Sequence, residues 1–163
     1  MHLTTPLNVQ SGTLVLGLGN LLRRDDGLGA RVIEMLAEKR LPAQVELIDG
    51  GSPGWGLATF LQGWLRVILI DAADMGLMPG TWRCFRMEDV RLDVNSGCIS
   101  LHEPGLAQGL ALGQALGTLP QDIVLYCAQP ESTEEGIGLT PVVEAVLPEL
   151  VENILLDLWN ERE

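Results

Sequence analysis

The hydrophobic positions of the chain switch between two periods. Leu14 to Leu18 is a short apolar, β-prone run halted by Gly19-Asn20, which predicts a buried first strand. From Gly27 the period changes: Leu28, Val32, Met35 and Leu36 fall on one helical face, with Arg31, Glu34 and Glu38 opposite. "VELIDGG" then reads as a second strand ending at Asp49, followed by a turn-rich "GGSPG" and a short helix over Leu57 to Leu61. "LRVILID" places four consecutive aliphatics before Asp71, the pattern of a strand covered on both faces.

"WRCFR" alternates like an edge strand, expected antiparallel to its predecessor, and residues 88–101 fit no single period. Pro104 to Leu116 reads as helix and "DIVLYCA" as the last strand. Thr140 and Pro141 suit the N-cap and first position of a final helix carrying Val143, Leu147, Leu150, Ile154 and Leu158. Pro148 is expected to kink it. Alternating strands and helices predict an α/β three-layer sandwich. Its sheet is five-stranded, twisted and mostly parallel, with helices on both faces and one antiparallel strand. Residues 1–163 read as a single domain, with 1–12 expected to be a flexible N-terminal segment.

Composition narrows the partners. A formal net charge of −12 and a pI near 4.4 argue against nucleic acid and against an anionic membrane surface. The start "MHLTTPLNVQSG" lacks the pattern of a signal peptide, and no apolar run is long enough to span a bilayer. Cys84, Cys98 and Cys127 are odd in number and lack CxxC spacing, which suits a reducing compartment. The expectation is a cytoplasmic monomer.

In this architecture ligands gather beyond the carboxyl ends of the strands. Asp25 and Asp26 follow the first strand, Asp71 ends the third, and His102 lies ahead of a helix. Each has an ordinary reading. Asp25 and Asp26 can cap the helix they precede. Asp71 can accept backbone N–H groups from the next loop, and His102 can be a helix-start histidine bonded to backbone. Taken together, two carboxylates and an imidazole form a candidate divalent-metal site with open positions, a mixed oxygen and nitrogen set suited to zinc or nickel.

A nucleotide is a poor fit. Gly17-x-Gly19 continues with Leu22 where a third glycine is needed, and adjacent carboxylates would repel a phosphate. Cys98 and His102 are four residues apart, but a Cys–His catalytic pair is made by the fold and not by such spacing. No G-x-S-x-G elbow is present.

Five segments resemble the maturation endopeptidases of nickel–iron hydrogenases: "GLGNLLRRDDGLGARV", "LIDGGSPG", "LIDAADMGLMPG", "LHEPGL" and "PESTEEGIGLTPVVEAV". They run in the family's order from Leu14 to about Leu150. The resemblance implies an endopeptidase that removes the C-terminal extension of a [NiFe] hydrogenase large-subunit precursor after nickel has entered it. It implies that Asp26, Asp71 and His102 contact the metal and carry the catalytic site. The nickel would be supplied by the precursor and not permanently bound. The family often has glutamate at the position of Asp26, so the arm here is shorter and the ligand class unchanged. Asp49, Gly50 and Gly51 are candidates for the substrate cleft, where glycines would admit an extended peptide; Asp49 equally suits a turn. Arg23 and Arg24 fit either steering of an acidic partner or simple solvation. A non-catalytic metal-binding or chaperone module for metalloenzyme assembly is the main alternative, with a metal hydrolase of small substrates behind it.

Overall fold

The computed structural model describes residues 10–90 and 104–160. Among them are strands β1 (Gln10–Leu18), β2 (Val45–Gly51), β3 (Trp64–Ala72), β4 (Trp82–Arg86) and β5 (Asp122–Ala128). The helices are α1 (Leu28–Ala37), α2 (Leu57–Leu61), α3 (Pro104–Leu116), α4 (Pro141–Glu144) and α5 (Leu147–Asn160). The strands form one sheet in the order β2-β1-β3-β5-β4. β2, β1, β3 and β5 run parallel, and β4 closes the edge antiparallel to β5. The α/β sandwich expected from the alternating periods is therefore the observed one.

Strand alternation sorts the core into two layers. Leu14, Leu16, Val67, Leu69, Ile123 and Leu125 face Leu57, Leu61, Leu106 and Leu110 of α2 and α3. Val15, Ile68, Ile70, Val124 and Tyr126 face Leu28, Val32 and Leu36 of α1 and the buried stripe of α5. Both faces of the central strands are thus covered, which is why their sequences are unbroken apolar runs.

Helix α1 lies directly on the sheet backbone. A Cβ at Gly29 would overlap the backbone N and O of Leu18 and stand 2.8 Å from the Ile70 carbonyl oxygen. One at Gly17 would stand 2.5 Å from the Gly29 carbonyl oxygen. Gly17 and Gly29 therefore serve close helix-on-strand packing.

Three local expectations change. β1 begins at Gln10, which pairs with Trp64, so the segment expected to be flexible gives its last residues to a strand. β4 pairs with β5 and not with its predecessor β3. The final helix is two: α4 ends at Glu144, and Pro148 falls in the first turn of α5, where a missing N–H costs little.

An ionic cluster around buried Arg66 joins α5 to β3 and β5. Arg66, only 5% exposed, places Nε 2.8 Å from Asp122 and Nη2 2.9 Å from Asp157. The Tyr126 hydroxyl donates to the other oxygen of Asp157 at 2.8 Å. This cluster lies at the opposite pole of the sheet from the acidic loops.

Candidate functional site

The order β2-β1-β3 makes a topological switch point. The chain leaves β1 toward β2 on one side, and the later crossover puts β3 on the other. The carboxyl ends of β1 and β3 at such a switch point are the usual ligand position in sheets of this kind. Asp26 lies in the 3-10 turn Arg24–Gly27 that follows β1, and Asp71 is the penultimate residue of β3. That turn packs against β3, and Gly29, three residues on, touches the carbonyl of Ile70 beside Asp71. The two residues thus lie at the same end of the paired strands β1 and β3. Both are buried, Asp26 at 4% and Asp71 at 3% exposure.

Hydrogen bonds fix the acidic turn. Asp26 Oδ2 accepts the Asn20 N–H at 2.8 Å, and the Asn20 side-chain oxygen accepts the Leu22 N–H at 2.9 Å. Asp25 is fully buried and points the other way. Its carboxylate accepts the N–H groups of Glu131, Ser132 and Thr140 at 2.9, 3.1 and 2.7 Å. It also accepts the Thr140 hydroxyl. Neither aspartate has the capping role weighed from the sequence: Gly27 occupies the N-cap of α1, and the pair sits one short turn upstream. Asp25 is instead a latch holding the segment after β5 against the loop after β1.

Arg23 and Arg24 belong to the same latch. Arg23 pairs by an isolated parallel bridge with Gly136, and its Nε donates to the Thr133 carbonyl at 3.0 Å. The Arg24 side chain lies over Gly136, where a Cβ would come within 2.6 Å of Nε. Arg24 itself holds φ at 47°, a left-handed conformation rare outside glycine.

Asp49 is exposed, and its Oδ1 accepts the Gly51 N–H at 3.2 Å, an Asx turn. The Gly51 carbonyl accepts the Gly19 N–H at 2.8 Å, which ties the end of β2 to the end of β1. Gly50 makes room for Leu16, whereas nothing lies within 4 Å of a Cβ built at Gly51. His102 and Cys98 lie outside the described residues. Helix α3 begins two residues after His102. Leu106 in its first turns shares an apolar cluster with Leu18 and Ala73, next to the ends of β1 and β3. Among the described residues no group of three or more His, Cys, Asp or Glu side chains is placed to hold a metal ion.

Gln129 was not anticipated. It is buried just beyond β5, and its Oε1 accepts the N–H groups of Met75 and Leu77 at 2.6 and 3.3 Å. Its amide donates to Asp74 at 3.1 Å. It shapes the loop after β3 from the strand next door; a polar residue directly after "DIVLYCA" was the available signal.

Cys127 pairs in register with Asp71. Burial, and secondarily the negative charge of Asp71, push its thiol well above the usual range, so it is no nucleophile. Burial likewise raises the Cys84 thiol, against a hydrogen bond from Tyr126. In the native protein at about pH 8, Cys127 is expected to resist iodoacetamide and to react fully in denaturant. Peptide mass mapping reads this out, and rapid native alkylation would contradict the buried site.

A family model for hydrogenase maturation proteases matches residues 30–157. The chain belongs to the hydrogenase maturation protease family. Across the family, it is 38% identical over 151 residues to the hydrogenase expression/formation protein HoxM of Cupriavidus necator, spanning 90% of this chain and 75% of that protein. It is 38% identical over 148 residues to the hydrogenase 2 maturation protease of Escherichia coli, spanning 89% of each. The solved structure of the hydrogenase-maturating endopeptidase HybD from Escherichia coli superposes with a TM-score of 0.80 at 36% identity. That match covers 93% of this chain and 94% of that one. The family places the chain among peptidases of hydrogenase maturation. No helix among the described residues is long and apolar enough to cross a membrane.

Proposed function

We propose that this protease removes the C-terminal extension of a nickel-loaded [NiFe] hydrogenase large-subunit precursor. In this reading Asp26, Asp71 and His102 recognise the nickel that the substrate brings. What supports the reading is that Asp26 and Asp71 are both buried at the carboxyl ends of neighbouring strands in a chain of the hydrogenase maturation protease family.

The donor set suits the metal: two carboxylates with one imidazole make a mixed oxygen and nitrogen environment that nickel accepts. Nickel bound in the substrate would supply Lewis-acid chemistry beside the scissile bond. The residues of this chain do the positioning. Asp26 is held by Asn20, and Asp71 is fixed by the sheet register. Preset donors place a peptide bond without reorganisation on binding. Asp49, Gly50 and Gly51 would form the neighbouring wall, with the open space at Gly51 available to an extended chain. The same reading has the chain acting as a monomer in the cytoplasm. Its strong negative charge and its cysteines without disulfide spacing support this.

The direct test is the intact mass of every hydrogenase large subunit in source cells with and without this gene. One subunit is expected to stay longer by a C-terminal peptide only in the deletion. A subunit that binds the chain yet keeps the same mass in both strains would favour the metal-binding or chaperone module instead.

A further inference from the structure

Most of the large apolar side chains exposed among the described residues stand at one end of the molecule, on segments that follow the carboxyl ends of strands. Leu22 follows β1, Met78 follows β3, and Ile137 and Val142 follow β5. Ile137 is 82% exposed, Met78 80% and Leu22 63%. Side chains this open gain nothing from the fold, and contiguous exposed apolar surface marks an interaction site.

Backbone contacts join them into one band. The Gly136 N–H donates to the Leu22 carbonyl at 2.9 Å, and the Arg24 N–H donates to the Gly136 carbonyl at 3.0 Å, so Leu22 and Ile137 stand on neighbouring segments. Thr140, held by Asp25, carries the same segment on to Val142. A Cβ at Gly80 would lie 3.2 Å from Val142 Cγ2, and the adjacent Thr81 N–H donates to the Met78 carbonyl at 3.1 Å. The band therefore runs Leu22, Ile137, Val142, Met78 along the segments that follow β1, β3 and β5; the first of these carries Asp26 and the second begins after Asp71. Exposed Glu134 and Glu135 flank it, an apolar centre with a charged edge.

We propose that Leu22, Met78, Ile137 and Val142 dock the folded body of the substrate precursor, so that the protease selects its substrate by a surface outside the cleaved segment. This rests on the precursor being the substrate. The occupant follows from shape and position. The side chains come from three segments, after β1, β3 and β5, with Val142 in the first turn of α4, a spread that a folded partner can cover and a single extended tail cannot. The band is also continuous with the segments next to the two carboxylates, so a protein delivered to them must cover it.

The test compares wild type with the double variant M78S/I137S, whose changed side chains are largely solvated. Affinity for purified nickel-loaded precursor is measured by calorimetry and its cleavage by mass spectrometry. Binding is expected to weaken tenfold or more. KM should rise correspondingly, kcat at saturating precursor should hold, and the thermal melt should not move. Unchanged affinity overturns the docking surface while leaving the protease reading intact. A wild type that binds without cleaving, with the variant binding more weakly, keeps the docking surface and removes the protease reading. A wild-type dimer that the double variant dissolves, seen by sedimentation, would make the band a contact between copies and overturn the proposal.

Discussion

An Asp71→Ala variant is expected to fold and to lose processing of the precursor by more than about 100-fold, beyond the usual effect of disturbing a ligand's supporting shell. The fold should survive because β3 is held by its aliphatic residues. Val67, Ile68, Leu69 and Ile70 are buried on both faces and in register with β1 and β5. Deleting one carboxylate at the strand end leaves them untouched, at a cost of about 1–2 kcal/mol. Asp71→Asn, which keeps the shape, should melt closer to wild type and process as poorly. Incubation of purified nickel-loaded precursor with each variant, followed by intact mass, gives the rate; circular dichroism gives the fold. Normal processing by folded Asp71→Ala protein would remove Asp71 from the site.

The second large effect belongs to Gly29. Gly29→Ala is expected to destabilise the protein at the upper end of the roughly 1–3 kcal/mol range for overpacking, because the new methyl meets backbone and not a yielding side chain. For a chain of this size that is a fall in Tm of about 5–10 °C. Activity should fall further than stability alone predicts. Relief of the clash lifts α1 from β1 and β3, and with it the turn that carries Asp26. Gly56→Ala is the control: nothing lies within 4 Å of its Cβ position, so it should be nearly neutral. A Gly29→Ala protein with wild-type Tm and activity would refute the direct helix-on-strand packing.

The elements were legible where local pattern determines them. "DIVLYCA" and Leu57–Leu61 read correctly end to end because burial sets a strand's apolar run and a helix's period. β4 was read as a strand, but its neighbour was not, since strand order is set by crossovers that no local window contains. Asp25 shows the same limit. Its short distance from α1 suggests a cap, while its hydrogen-bond donors come from residues 131 to 140. The apolar band was hidden for a related reason: Leu22, Met78 and Ile137 look in sequence like any loop residue, and only the fold sets them side by side. Asp26 and Asp71 were expected to converge from strand ends and family resemblance; the structure shows both buried, in the turn after β1 and at the end of β3.

The Asp25 latch also orders events in time. Its carboxylate accepts from residues 106, 107 and 115 positions further along the chain. On a ribosome, none of those donors exists when the turn carrying Asp26 is made, and chains are folded from the amino end as they emerge. The turn carrying Asp25 and Asp26 is therefore seated by residues 131–140, far along the chain. A nascent copy lacks this latch until synthesis has passed Thr140.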